Sequence, residues 1–171
     1  MEFKEYMIKK RRTPAEYAIV FFGYVLATII NFFIYVFGMT SYLSGIVLLL
    51  IVGVYYFTYI LTSRLKKEYE YIFTKDNIDI DVIMNKSKRK RIISFSLGQT
   101  EIIASTRDEN HNGILKGSFG KKIDVTSGNK DADTYFAVVE KNGRTLVVFE
   151  PPYAALEILS KAAKSKVHIY E

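Results

Sequence analysis

The sequence predicts a membrane α-helical hairpin followed by a β-rich domain of about seven antiparallel strands, a partly open barrel capped by a C-terminal helix. Two observations predict it. The 171-residue chain has no Asp, Glu, Lys or Arg between Tyr17 and Ser63. From Glu68 onward apolar residues recur at every second position, until helical spacing returns near the C-terminus. The chain therefore divides into a basic N-terminal segment (1–13), a two-helix transmembrane hairpin (14–63) and a folded domain (64–171).

A helix rises about 1.5 Å per residue and the hydrocarbon core is about 30 Å thick, so one crossing takes about 20 residues. The uncharged interval of 47 residues fits two crossings and a tight turn. The break falls at Gly38-Met39-Thr40-Ser41, extended by Ser44-Gly45, which places helices over 14–37 and 43–63. Thr13-Pro14-Ala15-Glu16 forms the first helix start: Thr13 caps, Pro14 suits the first helical position and Glu16 completes a capping box. A cleaved signal peptide is excluded, because its apolar region is short and ends in a small-residue cleavage site that this stretch lacks. Tyr17, Tyr24, Tyr55, Tyr56 and Tyr59 stand where rings with one polar tip sit near headgroups.

Lys4, Lys9, Lys10, Arg11 and Arg12 precede the first helix, Arg64, Lys66 and Lys67 follow the second, and the turn between them is uncharged. By the positive-inside rule both ends, and the domain, are expected in the cytoplasm. The absence of cysteine agrees with a reducing compartment. Of the net charge of +6, residues 1–16 supply +2, residues 64–67 supply +3 and residues 68–171 only +1. The high pI comes from the membrane flanks, and a domain this close to neutral is not expected to bind nucleic acid.

In the domain, Tyr69, Tyr71 and Phe73 alternate with Glu68 and Glu70, Ile78, Ile80 and Val82 with Asp79 and Asp81, and Ile93, Phe95 and Leu97 with Ser94 and Ser96. Further strands are expected at 100–105, 121–126, 133–140 and 143–149, the last two joined through Asn142-Gly143. Pro151-Pro152 then open a helix whose Tyr153, Leu156, Leu159 and Ala163 recur at helical spacing. Thr106 to Gly120, rich in Gly, Asn and charge, reads as a mobile loop.

The run "EYEYIFTKDNIDIDVIMNKSKRKRIISF", the strand order and the helix position resemble the bacterial pleckstrin-homology-like (PH-like) domain family over about Glu68 to Lys164. The whole layout, ending in "YFAVVEKNGRTLVVFEPPYAALEIL", is similar to a group of small bacterial membrane proteins with a two-helix hairpin. The resemblance implies a membrane-tethered binding or scaffolding module and brings no catalytic set. The first hairpin loop is only Lys75-Asp76 and the helix lacks the tryptophan common in eukaryotic relatives, so a phosphoinositide pocket is not implied.

The basic run lies in "NKSKRKRIISF", Asn85 to Phe95. With a turn near Asn85 to Ser87, Asp81 falls opposite Lys90 and beside Glu70, giving a charge row of modest structural value across an exposed face. Lys86, Lys88, Arg89 and Arg91 stay unpaired in that scheme. The anionic cytoplasmic leaflet is the nearest acidic surface, and each cation near it is worth about 1 kcal/mol. These four are therefore the expected lipid-facing residues, with an exposed strand edge or the Thr106 to Gly120 loop left for a protein partner.

Other chemistry is sparse. His111 and His168 are far apart in sequence and read as surface residues, so no metal is expected. Asp76, Asp79 and Asp81 lack the glycine and terminal glutamate of a calcium loop. "GILKGSFGKK" has Leu115 where a phosphate loop needs glycine and Lys122 where it needs a hydroxyl. No cofactor and no enzymatic activity are expected; the alternatives are a membrane-bound enzyme with an unrecognised pocket or a small oligomeric channel or transporter component. Within the membrane, Gly23, Ala27 and Asn31 recur every four residues, a narrow face that packs on the second helix around Gly53 or supports a homo-oligomer. The absence of intramembrane charge argues against an ion pathway. At the N-terminus, Phe3, Tyr6 and Met7 share one helical face among cations, which fits a short interfacial helix or an unstructured flank.

Overall fold

A computed structural model describes residues 4–39, 44–141 and 143–170. It divides into two compact units: Arg12–Lys67, and a second that joins Met1–Arg11 to Glu68–Glu171.

The first unit is the helical hairpin. Helix α1 spans Pro14–Met39 and α2 spans Ser44–Ser63. The expected capping box is present, with the Thr13 amide donating to Glu16 Oε2 at 2.8 Å and the Glu16 amide donating to Thr13 Oγ1 at 3.2 Å. Both helices are apolar and long enough to cross a bilayer, and most of their large side chains face outward. Hydroxyls on these helices are satisfied locally: Thr28 donates to Tyr24 O, Thr58 to Val54 O, Thr62 to Thr58 O and Ser63 to Ile60 O. That removes the cost of an unpaired polar group in hydrocarbon. The turn residues 40–43 lie outside the described residues.

The second unit is a sandwich of two sheets that do not close into a barrel. Strands β1 (Lys4–Lys9), β2 (Lys67–Phe73), β3 (Asn77–Met84) and β4 (Lys88–Ser96) form one sheet in that order. The other has the order β6 (Lys121–Asp124), β8 (Arg144–Phe149), β7 (Tyr135–Glu140), β5 (Thr100–Ser105) and β9 (Val167–His168). Two short helices follow: α3 (Asn112–Leu115), and α4 (Tyr153–Ala162), which buries Ala155, Leu156, Ile158 and Leu159. All seven expected strands are present among the nine in the described residues. Two pairings, β6 with β8 and β5 with β9, are parallel rather than antiparallel.

The inward faces of both sheets and the buried side of α4 make the main core, including Tyr71, Phe73, Ile78, Ile80, Phe95, Ile103, Val147, Phe149 and Leu159. One end is closed by buried polar contacts. Tyr71 donates its hydroxyl to Val125 O at 2.7 Å, while Glu150 Oε1 accepts from the amide and hydroxyl of Ser127, each at 2.9 Å. Burial pushes the Tyr71 phenol far above its ordinary value, so it remains a neutral donor.

Two local expectations are corrected. Residues 4–9 are neither an interfacial helix nor an unstructured flank: they pair antiparallel with β2, Lys4 opposite Phe73 through Lys9 opposite Glu68. Ile8 enters the core while Tyr6 and Met7 stay exposed; Phe3 lies outside the described residues. The hairpin is thus an insertion between two hydrogen-bonded neighbours of one sheet. The segment 106–120 is not a bare loop either. Ile114, Leu115 and Phe119 pack on Ala104, Phe136, Val138 and Leu146, covering the outer face of the second sheet. That is why β7 is buried on both faces.

Candidate functional site

The hairpin β3–β4 carries the basic run, and its register differs from the simple alternation. Ile80 pairs with Ile93, but Asp81 pairs with Arg91, so a bulge at Ile80/Asp81 leaves Ile92 as an extra residue. A one-residue slip exchanges the two faces of a strand. Lys90 therefore lies opposite Val82, not Asp81, and the charge row is built by arginines instead. Arg89 meets Glu70 at 2.5 Å and Asp81 at 2.6 Å, while Arg91 meets Asp79 at 2.7 Å and also Asp81. Asp81 and Glu70 are 3% and 6% exposed, and the two guanidinium groups supply the charge that their burial requires. These carboxylates hold Arg89 and Arg91 still more firmly protonated. The expectation that Arg89 and Arg91 stay unpaired is thereby corrected, although both remain about half exposed, at 47% and 46% of the side chain.

The lysines are different. Lys86, Lys88 and Lys90 are exposed, and no carboxylate among the described residues pairs with them. The turn is tight: Asn85 and Lys86 both adopt left-handed backbone, with φ of 50° and 56°, and the Ser87 amide donates to Met84 O at 3.2 Å. This pair of positive φ values matches the twist of the flanking strands. Asparagine tolerates the conformation; lysine adopts it at a cost. The turn holds Lys86 at its apex with Lys88 two residues on.

The two histidines converge, contrary to the expectation of two separate surface residues. Their ring centroids lie 4.6 Å apart, and His111 Nδ1 meets Asp108 Oδ2 at 2.7 Å. This hydrogen bond holds the Asp108 carboxyl below its ordinary range. The rings line an open hollow with Ser160, Lys161 and Lys164. Among the described residues no three His, Cys, Asp or Glu side chains form a group fit for a metal. Sequence spacing hid this pair because 57 residues separate the two positions.

In the helical unit, the face of Gly23, Ala27 and Asn31 turns toward α2. Ala27 is buried, Asn31 Nδ2 donates to Ile51 O at 3.4 Å, and a methyl group on Gly23 would lie 3.9 Å from the methyls of Thr58 and Thr62. Gly53, by contrast, has nothing within 4 Å of such a methyl and lines an apolar groove of about 610 Å³ between the helices. The tight crossing is at Gly38, where an added Cβ would come within 2.5 Å of Val47. Gly38, expected in the turn, therefore belongs to α1 and to the helix contact.

The two-sheet sandwich with its C-terminal helix, interrupted by an apolar hairpin, defines a PH-like module. The family model of the bacterial PH-like domain (DUF6106) matches residues 2–169, and the chain belongs to that family. The match includes β1 and the hairpin as well as the later strands. No curated protein and no solved structure matches the chain.

Proposed function

We propose that this protein is a non-catalytic, membrane-anchored PH-like module whose β3–β4 hairpin meets acidic lipid at the cytoplasmic face. The observation that carries the reading is the division of labour in the basic run. Arg89 and Arg91 are committed to buried carboxylates, which fixes the hairpin, whereas Lys86 and Lys88 project from its turn without a carboxylate partner among the described residues. Lys90 adds a third exposed ammonium, and Arg89 and Arg91, half exposed, complete the lipid-facing set. Four or five cations near an anionic leaflet amount to several kcal/mol, at about 1 kcal/mol each, enough to hold a domain that is already tethered.

The topology supports anchoring. Because β1 and β2 are hydrogen-bonded neighbours, the chain leaves the domain after β1 and returns to it at β2, which requires an even number of crossings in between. Two uncharged helices supply that number. The cations at 9–12 and 64–67 support a cytoplasmic position for both returns. A protein partner, and self-association through the hairpin, remain compatible with this arrangement.

The chain has no cysteine, so Ser87→Cys gives one labelling site beside Lys86 and Lys88. In nanodiscs, a fluorophore there is expected to be quenched by headgroup-labelled lipid when the bilayer is anionic, less at high salt, and not when Lys86, Lys88, Arg89 and Arg91 are all Gln. Equal quenching in neutral and anionic bilayers would refute lipid recognition by this hairpin.

A further inference from the structure

Among the described residues, strand β4 pairs only with β3 and β6 only with β8, so each has an open edge. At one corner of the sandwich these edges border a single cleft of about 440 Å³, floored by Ile92, Ile93 and Ile123 and rimmed by Lys121, Lys141 and Thr145. Lys141 Nζ already donates to the backbone carbonyl of Ser94 at 2.6 Å, which shows that this side of β4 offers a main-chain acceptor to the cleft. The other two edge strands are β9, only two residues long, and β1, beyond which the Arg11 amide donates to Ser127 O at 2.7 Å.

We infer that the β4 edge binds an extended acidic segment of a partner protein by strand addition. Unpaired main-chain groups supply the hydrogen bonds of such a complex, and alternate side chains of the added strand fall into apolar or charged positions. Here the isoleucines take alternate apolar side chains while Lys121 and Lys141 take the carboxylates between them. Arg91 completes three cations in the lining, no acidic side chain lines the cleft among the described residues, and Lys88 and Lys90 extend the positive charge along the same strand. Charge also decides against a second copy of this edge. Lysines on an exposed strand repel a like strand, the usual protection against edge-to-edge aggregation, whereas an acidic strand reverses the sign.

This surface runs along the β4 edge and shares Lys88, Lys90 and Arg91 with the lipid-facing set, so its test runs without anionic lipid. The full chain in zwitterionic nanodiscs is titrated with a fluorescent ten-residue peptide alternating Val and Glu, and with its Val-Lys counterpart. The Val-Glu peptide is expected to bind at least about tenfold more tightly, and Lys121→Glu with Lys141→Glu should remove that preference. Lys86→Gln, at the turn and outside β4, should leave it unchanged. In the wild type, hydrogen exchange of β4 amides should slow when the Val-Glu peptide is added, a readout independent of whether any variant folds. Equal binding of the two peptides, or unchanged exchange along β4, would overturn the assignment whatever the lipid experiment returns.

Discussion

Asp81 shows at the residue scale how burial and charge are reconciled. Its carboxylate is buried yet accepts from two arginines, and Glu70 shares one of them. Asp81→Asn is expected to destabilise the domain by about 1–2 kcal/mol, because a charge-assisted pair is replaced by a neutral one beside half-exposed guanidiniums; urea denaturation checks this. Lys86 is the opposite case. Its left-handed backbone costs about 1 kcal/mol, so Lys86→Gly should raise the melting temperature while weakening headgroup quenching at the turn. Stability lost on that substitution would mean the lysine makes contacts that offset the strain. Asp108 sets an acid limit. Its carboxyl is held below its ordinary value by His111, so the stability it contributes is present above the unfolded carboxylate value and is lost as pH falls through the lower folded one. Asp108→Asn should therefore narrow the difference in melting temperature between pH 7 and pH 3.

Among the elements, β1 changes what counts as the domain. Residues 68–171 alone would leave β2 with an open edge and lose Ile8 from the core. Joining β1 to β2 through a two- to four-residue turn in place of 12–66 should give a soluble protein that unfolds cooperatively, because Lys9 already faces Glu68 across the pair. Residues 68–171 without β1 should unfold less cooperatively or aggregate, and circular dichroism melting of the two distinguishes the cases. Legibility in the sequence follows the strength of the local pattern. The helices, the alternating strands and α4 were readable because long periodic segments outweigh local exceptions. β1 was not, since six residues crowded with charge have no strand signature until β2 lies beside them. The bulge at Ile80/Asp81 was equally hidden, and that single extra residue moved Arg89 and Arg91 onto the carboxylate face. In 106–120, Ile114, Leu115 and Phe119 were the available sign that the segment covers a second core.

Taken whole, the chain is one PH-like domain interrupted by an apolar hairpin, and the proposed anchoring puts both flanks on the cytoplasmic side. The absence of native cysteine makes the decisive measurement direct. Glu5→Cys in β1 and Glu157→Cys in α4, made one at a time, are exposed to a membrane-impermeant maleimide in intact bacterial cells and again after lysis. Neither position is expected to be labelled until lysis, and both afterward. Labelling of both from outside would overturn the cytoplasmic position of the domain, and labelling of one position from outside and the other only after lysis would separate β1 from the domain it completes.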